Sequence, residues 1–175
     1  MSDIIVLGID PSLTATGLVR LDEQDGLTSR VVRPRSTGVR RLIDIEQAVA
    51  QVAEGVTLVA LEGYAFGAQA SREALGELGG ILKRYLYQHA IPTIIVPPSS
   101  VKKFACSRGN AKKDEMRLAV YKKWGVDEQG LRTADEVDAY VLARIALVVA
   151  MRQAGREVKL LQYEAEALKS LREVA

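Results

Sequence analysis

Two apolar runs in this sequence each end in a carboxylate. Ile4-Ile5-Val6-Leu7-Gly8-Ile9 delivers Asp10, and Val56 to Leu61 delivers Glu62. A third acidic position opens a helical pattern, Thr133-Ala134-Asp135-Glu136-Val137-Asp138-Ala139. Asp135 and Asp138 stand three apart there and share a helix face. Each acid has a plainer account when taken alone. Asp10 before Pro11 starts a turn, Glu62 is a solvated strand end, and Asp135 complements a helix N-terminus. Taken together these accounts fail, because converging carboxylates repel one another and hold raised pKa values unless a cation neutralises them. Oxygen-only donors favour magnesium or manganese. Such a cluster can hold two ions ~4 Å apart and clamp an in-line attack on a phosphodiester.

The cationic residues are distributed to match. Residues 99–123 carry Lys102, Lys103, Arg108, Lys112, Lys113, Arg117, Lys122 and Lys123 against only Asp114 and Glu115. That zone lies between the second and third acidic positions, which favours contact with phosphate over a merely solvated face. Arg33, Arg35, Arg40 and Arg41 form a second basic patch. Tyr64 and Phe66 lie between Gly63 and Gly67, where little packing is available, and are candidates for base stacking at ~1–3 kcal/mol per base. His89 reads as a surface or capping residue, Cys106 as a small buried filler and Trp124 as packing for a helix end.

The elements that must position these groups follow from periodicity. Residues 4–9 have almost no polar relief, which predicts a strand covered on both faces. Residues 18–21 and 28–32 complete an antiparallel meander. Further strands are expected at 56–61 and 93–96, the latter stopped by Pro97-Pro98. Helices are expected near 39–54, with Leu42, Ile45, Val49 and Val52 inward, and near 71–88, with Leu75, Leu78, Leu82 and Leu86 inward. Gly76, Gly79 and Gly80 weaken the latter by roughly 1 kcal/mol each. Their expected compensation is close packing, with a second subunit as the candidate partner. A short helix after residue 99, one over 113–124 and one over 133–153 complete the core. Val158, Leu161, Ala165, Leu168 and Leu171 predict an amphipathic helix across 157–174.

At 175 residues the chain reads as one domain able to bury a sizeable core. No apolar run approaches the ~20 residues of a membrane span, and the N-terminus lacks a secretory layout. One cysteine forbids an internal disulfide. A cytoplasmic protein without membrane association is expected.

The motifs together resemble the RuvC family of Holliday junction resolvases, within the RNase H-like superfamily. The matching residues are Gly8-Ile9-Asp10-Pro11 with Thr16-Gly17, Val59-Ala60-Leu61-Glu62 with aromatics after it, Val101-Lys102, Ala111-Lys112-Lys113, and Ala134-Asp135 through Asp138-Ala139 with Leu142-Ala143. Order and intervals agree over about residues 4–150. The resemblance implies an α/β fold of the RNase H-like type, with a five-stranded mixed sheet, three strands antiparallel and two parallel, flanked by helices. The core would cover about 1–153, with a helical extension over 154–175. Asp10, Glu62, Asp135 and Asp138 match the family's metal-site acids. Lys102 and Lys113 match basic residues near the scissile phosphate, and Tyr64 or Phe66 an aromatic that disrupts stacking. Ser12 replaces a glycine, the aromatic spacing departs from the family's, and the chain beyond Gly155 has no counterpart. The implied activity is a homodimeric endonuclease that uses two magnesium ions, or manganese in their place, to cut four-way and other branched DNA, leaving 5′-phosphate ends. Lys103, Lys112, Arg108 and Arg35 are further DNA-contact candidates. Two other readings remain: a non-catalytic junction-binding protein of this fold, and a phosphotransferase of the actin and sugar-kinase type.

Overall fold

The computed structural model describes residues 3–63 and 69–174, with side chains in the second stretch from residue 73 onward. Strands β1 (Ile5–Asp10), β2 (Thr16–Asp22) and β3 (Leu27–Val32) form an antiparallel meander. Helix α1 (Gly38–Ala53) leads into β4 (Leu58–Glu62), which lies parallel to β1. Helix α2 (Gln69–Gln88) leads into β5 (Thr93–Val96), parallel to β4. Helices α3 (Pro98–Cys106), α4 (Lys113–Trp124), α5 (Ala134–Gln153) and α6 (Gln162–Leu168) follow.

The mixed α/β architecture is as expected, with one correction. The sheet has six strands, in the order β3-β2-β1-β4-β5-β6, and not five. β6 (Arg172–Glu173) adds antiparallel to β5, pairing Ile94 with Glu173 and Ile95 with Arg172. Two charged residues carry no strand pattern. They pair because the outer edge of β5 would otherwise present unsatisfied backbone groups.

Period two sorts the strands between two cores. Leu7, Ile9, Leu18, Val59 and Leu61 face α1 and α2, where Leu42, Ile45, Val49, Leu78, Leu82 and Leu86 are buried. Val6, Val19, Leu21, Leu58 and Ala60 face α5. Gly76 and Gly80 have no neighbour close enough to meet an added Cβ within this chain.

Two helices depart from their expected form. The spacing of Val137, Val141, Ile145 and Val148 predicts a one-sided stripe, but Val148 is only half-buried and α5 also buries Ala139, Tyr140, Leu142, Ala143, Ala146 and Leu147. It lies between the sheet and the α3, α4 and α6 side, and a helix apolar all round is a buried one. The expected 157–174 helix shortens to the seven residues of α6. Of the expected stripe, Leu168 and Leu171 pack on the core beside buried Ala167, and Glu164 anchors the start of the helix. Its carboxylate accepts from the Leu161 N–H at 2.7 Å and pairs with Lys123, while Leu161 stays exposed.

Candidate active site

The two strand-borne acids share a face by parity. Val6, Gly8 and Asp10 alternate toward α5, as do Leu58, Ala60 and Glu62 on β4. The parallel register pairs Gly8 with Ala60 and Ile9 with Leu61, so the next step sets Glu62 beside Asp10. The antiparallel register sets Gly17 opposite Asp10 on the other side. After Asp10 the chain turns through a self-bonded loop. The Ser12 N–H donates to Thr16 Oγ1 at 3.1 Å, the Thr16 hydroxyl to the Ser12 carbonyl at 2.6 Å, and the Thr14 and Ala15 N–H groups to Ser12 Oγ at 3.3 Å. Ser12 and Thr16 therefore shape the turn that follows Asp10.

Helix α5 carries the other two acids. Its start is locked by a capping box: Thr133 Oγ1 accepts from the Glu136 N–H at 3.2 Å, and the Glu136 carboxylate accepts from the Thr133 N–H at 2.8 Å. Buried Glu136 also accepts from the Ser29 hydroxyl on β3 at 3.1 Å. Asp135 follows in the first turn, and Asp138 lies one turn deeper.

The electrostatics show that these groups meet. Burial, then the charge of Asp138, push Asp10 up to about 7. Burial, the Asp10 charge and a hydrogen bond to Asp10 push Glu62 up to about 9. The two share a proton, with protonated Glu62 donating to the Asp10 carboxylate. Burial pushes Asp138 up to about 6, against the pull of Lys113 and Lys102. Lys113 at the start of α4 also favours ionised Asp10, and Lys102 on α3 favours ionised Glu62.

The rest of the basic zone does not converge in the same way. Lys103 points along the other side of α3 and pairs with Glu166 at 2.6 Å. Arg108 pairs with Glu115, which also accepts from the Lys112 N–H at 2.7 Å. Arg117 donates to the Leu131 carbonyl at 2.8 Å, and Lys123 to the Phe104 carbonyl at 2.9 Å. Lys112 is exposed beside Lys113. Exposed Arg35 sits in the loop leaving β3, whose last residue pairs with Thr16, so that loop departs from the Asp10 edge. Tyr64 and Phe66 lie outside the described residues. A surface cavity of about 440 Å3, lined by Glu54, Tyr85, His89 and Ile91, opens at the opposite edge, away from the acids.

The donor set suits a hard divalent cation: buried carboxylates, held beside one another so that their ionisation is opposed, with Lys102 and Lys113 as cations that favour it. Among the described residues no three His, Cys, Asp or Glu groups close round a single point as a ready-made metal cage. The acids form an open cluster, with Asp10 and Glu62 in contact and Asp138 and Asp135 within electrostatic reach.

Sequence reasoning missed Glu136 as part of this arrangement, and it took Gly8 and Gly17 only as motif residues without a packing role. The signal available was two glycines within otherwise apolar strands, and a Thr-x-x-Glu spacing before an apolar run.

A mixed sheet with three antiparallel strands, parallel strands reached through helices, and carboxylates at the ends of its two central strands is the RNase H-like architecture. Solved structures agree on the fold. RuvC of Thermus thermophilus superposes with a TM-score of 0.67 at 24% identity, covering 87% of this chain and 97% of that one. The same protein in complex with Holliday junction substrate gives 0.68 at 24% identity, over 87% and 95%. The fowlpox virus Holliday junction resolvase gives 0.50 at 10% identity, over 86% and 99%. Among curated proteins, a crossover junction endodeoxyribonuclease RuvC of a Synechococcus species is 29% identical over 150 residues, 81% of this chain and 96% of that protein. One from Corynebacterium efficiens is 30% identical over 151 residues, 79% of this chain and 66% of that protein. No protein-family model matches the chain. In sequence and in fold the chain is RuvC-like.

Proposed function

We propose that this protein is a divalent-metal-dependent endonuclease that resolves four-way DNA junctions by paired phosphodiester cleavage. The observation that carries the reading is the convergence of Asp10, Glu62 and Asp138 at one sheet edge, with Lys102 and Lys113 as their facing cations. The similarity to crossover junction endodeoxyribonucleases supplies the substrate class.

Asp10, Glu62, Asp135 and Asp138 are the residues that would hold magnesium, or manganese in its place, with two ions per site. When bound, the ions supply Lewis-acid stabilisation of the phosphodiester and a water activated for attack. The chain's own groups do the rest. Ionisation of Glu62 frees Asp10 of their shared proton and opens both carboxylates as donors. Lys113 and Lys102 hold the phosphate backbone over the acids and offset charge that develops on it. Lys112 and Arg35 stand outside this centre and contribute general attraction for the backbone, while Arg108 is engaged with Glu115. Attack from the water side leaves a 5′-phosphate and a 3′-hydroxyl. Two symmetric cuts require two copies of the site, which a homodimer provides.

The non-catalytic reading is disfavoured by the full set of acids. A protein that only binds has no use for buried carboxylates whose ionisation opposes folding. The direct test is incubation with a synthetic four-way junction and magnesium, against linear duplex and other branched DNA. Junction cleavage that Asp10→Asn removes supports the proposal. Tight binding without cleavage at any metal concentration refutes it in favour of the binding reading.

A further inference from the structure

We infer that Gly17 is a positioning residue for the acidic cluster, acting through α5; the inference rests on the proposed metal-site reading of Asp10, Asp135 and Asp138. Glycine weakens a strand, so two glycines on adjacent strands facing one helix call for a reason. Gly8 and Gly17 both lie on the face that packs against α5. A Cβ on Gly17 would fall 2.2 Å from the Asp135 carbonyl oxygen and 2.7 Å from its carbon, with the Ala139 methyl at 3.3 Å. A Cβ on Gly8 would fall 2.0 Å from the Ala139 carbonyl oxygen and 2.5 Å from the Ala143 nitrogen. Residues 135, 139 and 143 are successive turns of one helix face, so the helix backbone lies directly on the bare strands.

This seating decides where the helix-borne acids stand. Gly17 is the partner of Asp10 in the strand register, and its contact on α5 is the backbone of Asp135 itself. The separation of sheet and helix at that point therefore sets how far the helix-borne acids stand from the strand-borne ones. The two nearest of the three atoms that an added methyl would meet are backbone, held by the Thr133–Glu136 cap and the tie to Ser29. Neither can rotate away. Relief requires the first turn of α5 to rise by about 1 Å, and displacement on that scale can cost on the order of 100-fold in rate.

The test compares wild type, Gly17→Ala, the milder Ala139→Ser at the same contact, and Leu147→Ala on the same helix away from the acids. Mn2+ binding to the DNA-free protein is measured by calorimetry, junction affinity in chelator, cleavage across a magnesium series, and melting temperature. The expected result for Gly17→Ala is Mn2+ affinity down at least tenfold, junction affinity within about threefold, and cleavage down on the order of 100-fold with partial recovery at high magnesium. Ala139→Ser should show the same pattern, smaller, and it keeps the inference open to refutation if Gly17→Ala does not fold. Leu147→Ala should lower the melting temperature while leaving Mn2+ affinity at the wild-type value. Wild-type Mn2+ affinity in folded Gly17→Ala or Ala139→Ser, or equal loss in Leu147→Ala, overturns the inference. Wild-type protein that binds no Mn2+, or binds it equally after Asp10→Asn, overturns the metal-site reading and the inference with it.

Discussion

Replacing Glu62 by Gln in the metal-free protein should stabilise the fold, and only above mildly acidic pH. In the folded chain Glu62 is raised from 4.5 to about 9 by burial and by the charge of Asp10. The unfolded chain gives up that proton near pH 4.5, while the folded chain keeps it well past neutrality. Between these limits the folded state binds more protons, so its stability falls as pH rises. Every tenfold change in proton affinity is worth about 1.4 kcal/mol, which bounds the effect of complete ionisation at ~6 kcal/mol. Sharing of one proton with Asp10 and entry of water reduce the expected gain at pH 8.5 to about 1–3 kcal/mol, or a melting temperature higher by about 3–10 °C. Gln keeps the shape of the protonated acid and can still donate to Asp10. Thermal unfolding of both proteins in chelator, from pH 5 to 8.5, reads the difference. The gap should close near pH 5 and reverse sign when magnesium is added, because the charged carboxylate is a stronger donor to the ion than the neutral amide oxygen. A variant less stable than wild type at pH 8.5 in chelator, or a gap independent of pH, would refute the reasoning.

Other variants probe other parts of the arrangement. Lys113→Ala removes a charge that favours ionised Asp10 and Asp138. It should slow cleavage by about 10–100-fold and move the acidic limb of the pH–rate profile to higher pH, both read from single-turnover rates. Lys103→Ala should leave junction affinity within about twofold, because Lys103 is engaged with Glu166, whereas Lys102→Ala should weaken it and flatten its salt dependence; titrations at several salt concentrations separate the two. Glu136→Ala strands the Thr133 N–H and leaves the Ser29 hydroxyl only the Gly130 carbonyl, and should cost about 1–3 kcal/mol in urea unfolding.

The strands and the acids they carry were legible because buried strands and amphipathic helices write their periods directly into the sequence. Asp10 and Glu62 stood out as single charges ending apolar runs, and the parallel register of β1 and β4 sets them side by side. Lys102 and Lys103 were indistinguishable by charge. Only the turn of α3 sends Lys102 toward Glu62 and Lys103 toward Glu166, a partner 63 residues away. The sixth strand was hidden for the same reason, since Arg172 and Glu173 pair with β5 through backbone groups that carry no side-chain signature. The 157–174 segment has helical spacing but folds around Glu164, whose bonds to Lys123 and to the Leu161 N–H are invisible to hydrophobic periodicity. Gly17 matched a motif but gave no sign of its packing, because its role lies in what is missing: a methyl group that would collide with Asp135.

Whether a carboxylate cluster built on Asp10 performs metal-dependent cleavage of branched DNA is decided most directly by one measurement. Strand cleavage of a synthetic four-way junction is followed for wild type and Asp10→Asn, with magnesium and with chelator, beside junction binding by the same proteins. Paired cuts by wild type only with magnesium, and none by Asp10→Asn despite retained binding, are the predicted result. Magnesium-dependent cleavage by Asp10→Asn at the wild-type rate would contradict it.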